Sequence, residues 1–146
     1  MKIAVIVIVI ILIVIIGPKI FYRISKPKLE QKISELYNED EIILKELKAN
    51  CLGIKSKSVV QIRGNGVLIL TKSHLRFFRI LPKADYEIPI NLITNVSITH
   101  THLGKALPYK LVRLEFKGTD GPDAIAWWVS DQEQWKNKIE LLINSS

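Results

Sequence analysis

From Ile3 to Ile16 the chain runs through fourteen consecutive apolar side chains with no polar position among them. A helix that is apolar all round has no face to offer water. Fourteen residues at ~1.5 Å rise cover about 21 Å, short of a ~30 Å hydrocarbon core. Continued through Gly17 and Pro18 to Tyr22, the helix reaches about 30 Å, with Lys19 snorkelling toward the headgroups. Phe21 and Tyr22 then fall near the interface, where Tyr is favoured. A secretory signal peptide carries a similar run and is the alternative reading, but it needs small residues in an A-x-A-like cleavage site, and Gly17-Pro18-Lys19-Ile20-Phe21-Tyr22 holds Gly17 without a second small residue two positions on. The pattern predicts a retained transmembrane helix over residues 1–22. Its Ile and Val would suit a strand in water, but a single span in lipid must satisfy its backbone internally.

Beyond the anchor the period changes twice. Residues 23–40 read as a basic juxtamembrane linker and a short amphipathic helix, with Leu29, Ile33 and Leu36 at i, i+4 and i+7. Residues 41–146 form the remaining domain. Strands are expected within 42–54, 67–71, 75–81, 85–88, 94–102, 111–116 and 124–129, separated by turn residues at Gly64-Asn65-Gly66, Lys72-Ser73, Pro89, 104–108 and 118–122. Seven successive strands point to an antiparallel sandwich or partly open barrel. Ser130-Asp131-Gln132-Glu133 then fits a capping box, and Trp135, Ile139 and Leu142 recur at i, i+4 and i+7 behind it. A closing amphipathic helix is expected there.

Charge separates the two parts of the chain. Lys19, Arg23, Lys26 and Lys28 follow the apolar run with no acid before Glu30, whereas only Lys2 precedes it. That asymmetry orients the amino terminus outside and the domain in the cytoplasm of a single-pass protein at the cell membrane. The lone Cys51 is in keeping with a reducing compartment. The net charge of +7 belongs mostly to the anchor: residues 29–146 hold sixteen basic and fourteen acidic side chains. Nucleic acid, which selects strongly basic domains, is not an expected partner. Within the domain, however, no acid stands between Glu46 and Asp85, where Lys48, Lys55, Lys57, Arg63, Lys72, Arg76, Arg79 and Lys83 all fall. Such a stretch makes either a solvated sheet face balanced by distant acids or a surface for anionic phospholipid headgroups, each cation contributing about 1 kcal/mol near a charged leaflet.

The order of these elements resembles the pleckstrin-homology-like fold, and the residues look most like its GRAM branch. Gly64 to Phe78 is similar to the GRAM pattern of a glycine-containing turn, an apolar strand, Leu-Thr, two turn residues, a basic residue, Leu, any residue and Phe. Leu70, Thr71, His74, Leu75 and Phe77 occupy those positions, with His74 where Arg is common. Tyr86 to Ile93 looks like the strand that ends in Ile-Pro, and the Trp135 helix like the closing helix. The resemblance implies a mostly β, α+β fold: a seven-stranded partly open barrel capped by a carboxyl-terminal helix and preceded here by the transmembrane helix. It also implies a non-catalytic module that binds phosphoinositides, other lipids or proteins. Lys55-Ser56-Lys57 with Arg63 meets the phosphoinositide pattern in part, so loose attraction to anionic lipid is favoured over specific inositol-phosphate recognition. The lipid-binding candidates are Lys55, Lys57, Arg63, Lys72, Arg76 and Arg79.

No acid, base and nucleophile set emerges from the sequence, so no enzyme, cofactor or metal is expected. His100 and His102 lie two apart and could share a strand face, but no carboxylate or Cys accompanies them. Cys51 reads as a buried side chain rather than a nucleophile. Gly64-Asn65-Gly66 lacks the remainder of a phosphate-cradling loop. Adjacent Trp127 and Trp128 should face opposite sides of a strand, one filling the core and Trp128 offering a contact for a membrane-protein partner or the bilayer interface. The alternative function is therefore a protein-interaction adaptor of a membrane complex with no lipid recognition.

Overall fold

The computed structural model describes residues 2–57, 63–81 and 83–145. Two compact units divide the chain, residues 1–37 and residues 38–146.

The first unit is one helix, α1 (Lys2–Leu36), which passes Pro18 and Pro27 without interruption. The sequence left the short helix after the anchor either extending it into a stalk or packing on the domain, and α1 runs through both segments. Each proline forfeits one i→i−4 hydrogen bond, and the turns on either side carry the helix past it. At ~1.5 Å per residue α1 is about 50 Å long. It is long and apolar enough to cross a membrane. Past the apolar run, Lys26 and Glu30 form an i,i+4 ion pair at 3.8 Å. The side chain of Tyr22, expected at the interface, lies outside the described atoms.

The second unit is built on seven antiparallel strands: β1 (Leu44–Ile54), β2 (Arg63–Leu70), β3 (His74–Arg79), β4 (Ala84–Pro89), β5 (Ile93–His102), β6 (Lys105–Gly118) and β7 (Gly121–Trp128). Helix α2 (Gln132–Ser145) follows. The sheet order is β4-β3-β2-β1-β7-β6-β5, so β1 pairs with both β2 and β7. Its register slips between Glu46 and Ala49 and again between Cys51 and Ile54. Such irregularities bend a strand and increase its twist, which lets one strand belong to both halves of a folded-over sheet. Alternation supplies the interior: Val112, Leu114 and Phe116 of β6 point in while Arg113, Glu115 and Lys117 between them do not. They meet Leu68, Leu70, Leu75 and Phe77 from the other half, and Phe77 lies 6.3 Å from Trp127, centroid to centroid. Trp135 and Ile139 of α2 complete the core.

Three local features differ from the expected pattern. Gly64-Asn65-Gly66 is part of β2 rather than a turn before it. A Cβ on Gly66 would stand 2.2 Å from the Phe78 carbonyl oxygen and 2.7 Å from two Phe77 ring atoms. Glycine is there to admit the Phe77 ring. Strand β6 begins at Lys105, where a turn through Pro108 was expected. The β5–β6 register runs Thr99↔Leu111 and then Thr101↔Ala106, so residues 107–110 bulge opposite His100. Pro108 sits in that bulge, where its missing N–H breaks no ladder bond. Finally, Asp131 rather than Ser130 caps α2: its Oδ1 accepts the Gln134 N–H at 2.9 Å. Ser130 is taken by Glu46 of β1, whose Oε2 accepts both its hydroxyl and its backbone N–H, the latter at 2.9 Å.

Glu46 therefore ties the central strand to the start of the closing helix. Burial opposes its charge, but the Ser130 hydroxyl and amide, the Lys48 amide and the Lys48 charge outweigh it and hold the carboxyl below its usual value. A carboxyl whose folded pKa is depressed contributes stability that is present above its unfolded pKa and lost as pH falls through the folded one. Glu46→Gln is expected to lower stability at pH 7 by about 1–2 kcal/mol. It should also flatten the acid dependence below the ordinary carboxyl value of 4.5, read by urea melts between pH 7 and pH 3. Gly66→Ala is expected to cost about 2–3 kcal/mol through overpacking at Phe77, read by the same melts at neutral pH.

Candidate functional site

The cations of the acid-free stretch are sorted by the strand ends. β1 runs into Lys55 and Lys57, β2 begins at Arg63 opposite Leu52, and β3 ends at Arg79 opposite Gly66. These ends are adjacent because neighbouring strands are antiparallel. Lys55, Lys57 and Arg63 are exposed, and Arg79 is half-buried. Arg79 Nη1 donates to the Arg63 carbonyl at 3.1 Å. Lys83, just ahead of β4, is exposed at the same end.

The other two lipid-binding candidates lie elsewhere. Lys72 is in the β2–β3 turn, at the far end of both strands. Arg76 stands in mid-strand on β3, with its guanidinium 4.8 Å from the Phe78 ring centroid. Its Nε and Nη2 donate to the two Asp85 oxygens at 2.8 and 2.7 Å, and Glu87 lies 3.6 Å from Nη1. A bidentate pair of this kind already neutralises the guanidinium. The six candidates therefore resolve into four cations at one end, one at the other and one paired on the sheet. Trp127 is buried in the core and Trp128 is half-buried at the end of β7.

A cavity of about 580 Å³ opens beside Lys57, between β4 and the β6–β7 turn. Tyr86, Ile88 and Phe116 give it an apolar floor, and the Lys57 ammonium lies 5.7 Å from the Tyr86 ring centroid. Burial and then the charge of Asp123 push the Tyr86 phenol above its usual pKa, so it stays protonated at neutral pH. The rim carries Lys57 and Lys117 but also Glu87, Asp120 and Asp123. Asp123 shapes the entrance: its Oδ1 accepts the Ser56 and Ala124 N–H groups at 2.9 and 2.8 Å, and its Oδ2 accepts the Ser56 hydroxyl. This fixes the departure of β1 toward Lys57.

The histidines do not converge. His102 is buried with Nε2 2.8 Å from the Gly53 carbonyl, whereas His100 is exposed at the bulge. Burial, above all, lowers the His102 pKa, which favours the neutral ring. Among the described residues no three His, Cys, Asp or Glu side chains are grouped to hold a metal. Cys51 is buried, and burial pushes its thiol up to about 12. At neutral pH it is a protonated core side chain.

The sequence matches no family model and no curated protein. The structure is similar to that of a chain in the 8S snRNP assembly intermediate, with a TM-score of 0.51 and 12% identity over 74% of this chain and 83% of that one. It is likewise similar to the Vps36 N-terminal PH domain, with a TM-score of 0.52 and 13% identity over 71% of this chain and 79% of the other. These likenesses and the seven-stranded sheet with its closing helix define a pleckstrin-homology-like fold.

Sequence reasoning missed the Asp123–Ser56 bracket and the Glu46–Ser130 tie, since both join residues far apart in the chain. The Cys51 environment carries a direct test. In the native protein at pH 7.5 the thiol is expected to resist a maleimide or disulfide reagent for hours and to react stoichiometrically once the domain is unfolded in urea.

Proposed function

We propose that this protein is a single-pass, membrane-tethered, non-catalytic binding module of the GRAM branch, whose cytoplasmic domain contacts anionic headgroups at the membrane surface. The observation that carries the reading is the gathering of Lys55, Lys57, Arg63 and Arg79 at one end of the barrel, in a stretch without a single acid. Alpha-helix α1 supports the tether through its length and apolarity. The Lys19, Arg23, Lys26 and Lys28 flank supports the cytoplasmic orientation. With the domain tethered, weak headgroup contacts suffice, because the leaflet is always at high effective concentration. Attraction to the surface rather than a fitted inositol-phosphate pocket agrees with the mixed charge of the neighbouring cavity, whose rim carries Glu87, Asp120 and Asp123.

The second reading is a protein-interaction adaptor. The same mixed rim and the half-buried Trp128 favour it, since hydrogen-bonding groups of both signs suit a polypeptide surface.

Vesicle sedimentation of residues 38–146, after a cooperative melt has verified their fold, separates the two. Binding to vesicles containing phosphatidylglycerol, weak on pure phosphatidylcholine and falling with salt, is expected. Reversing Lys55, Lys57 and Arg63 together to Glu should lower the partition coefficient by about a hundredfold or more, at about 1 kcal/mol per charge. Equal partitioning onto both vesicle types would overturn the lipid reading. Capture of a membrane protein that survives the reversals but fails with Trp128→Ala would favour the adaptor.

A further inference from the structure

The turn between β3 and β4 divides two adjacent aliphatic side chains. Ile80 is buried, with 6% of its surface accessible, while Leu81 is 59% exposed. The division is held by bonds to the start of β2: the Ile80 N–H donates to the Asn65 carbonyl at 3.0 Å, and Arg79 donates to the Arg63 carbonyl. Gly64 is drawn in as well, for a Cβ there would lie 3.5 Å from the Leu81 carbonyl oxygen and 3.6 Å from Arg79 Cδ. Leu81 is therefore presented by a turn braced against the neighbouring strand.

Its surroundings are cationic. Arg79 and Lys83 flank it in the chain, and Arg63 lies across the strand pair. Lys55 and Lys57 leave the next strand at the same end. Among the described residues of the second unit, Leu141 and Tyr109 are the other large apolar side chains strongly exposed, at 62% and 39%. Neither lies at this end of the barrel, one being on α2 and the other on the β6 bulge. An exposed aliphatic tip at a barrel end that carries Lys and Arg matches the layered chemistry of an anionic leaflet: phosphate at the level of the cations and acyl chains just beneath.

We propose that Leu81 is a membrane-inserting side chain, entering the headgroup–acyl boundary of an anionic leaflet while Arg63, Arg79 and Lys83 meet the phosphates around it. This rests on the lipid reading above and adds to it a defined docking point and a direction of approach, with the β3–β4 turn facing the bilayer.

The test uses the full chain reconstituted into nanodiscs. Because Cys51 is buried, Leu81→Cys places a single reactive thiol for the solvatochromic dye NBD, and Leu141→Cys gives a control position. In discs containing phosphatidylglycerol, the dye at position 81 is expected to shift to the blue and to brighten about twofold or more. Acyl-chain spin labels should quench it, whereas the dye at 141 stays water-like. In phosphatidylcholine discs both should stay water-like. In residues 38–146, once their fold is verified by the melt above, Leu81→Ser, a change at an exposed site, is expected to lower partition onto anionic vesicles by about tenfold with salt dependence retained. A dye at 81 that remains water-exposed in anionic discs would overturn insertion. If the charge reversals nonetheless abolish vesicle binding, the lipid reading stands and only Leu81 is misassigned. A dye equally dry in both disc types would also overturn the proposal, since it would point to a protein surface over Leu81.

Discussion

From Ile3 to Ile16 every side chain of α1 is exposed, and every one is apolar. At roughly 25 cal/mol per Å² of apolar surface, no helix of this composition remains dispersed in water. That constraint governs the reading of the domain that follows. On the proposed reading, in which α1 lies in lipid, the module does not need to find its membrane, so tight recognition is not demanded of it. A modest set of cations and a weakly selective surface are enough, and the near-balance of charge over residues 29–146 is what such a module would carry.

Inside the domain, the corresponding constraint is β1. It pairs with β2 on one side and β7 on the other, and its two register slips allow both pairings around one core. The same strand carries Glu46, which holds Ser130 ahead of α2, and it delivers Lys55 and Lys57 to the open end under the control of Asp123. Core, closing helix and cationic end are thus connected through a single element. A change that straightened β1 would be felt at all three.

Much of this was legible in the sequence. Half-buried strands alternate, and positions such as Val112, Leu114 and Phe116 betray their strand without any partner being known. The turn-forming reading of Gly64-Asn65-Gly66 failed because Gly66 makes room for Phe77, a residue on the next strand. The capping box failed because Ser130-x-x-Glu133 is a local signal, and Glu46, eighty-four positions away, takes the Ser130 hydroxyl. The cationic stretch was visible as composition only. Pairing decides that Arg76 faces Asp85, beyond the acid-free limit, and that Lys72 turns at the opposite end. Nothing in Ile80-Leu81 says which side chain is the exposed one; the bond from Ile80 to Asn65 does.

Our central proposal is that an apolar helix tethers a pleckstrin-homology-like domain to the membrane from its cytoplasmic side. Reporters fused after Ser146 test it most directly, one fluorescent only in the cytoplasm and one a phosphatase active only outside. The account predicts a fluorescent, phosphatase-negative fusion that stays in the membrane fraction after alkaline carbonate extraction. An active external phosphatase, or release of the fusion by carbonate, would contradict it.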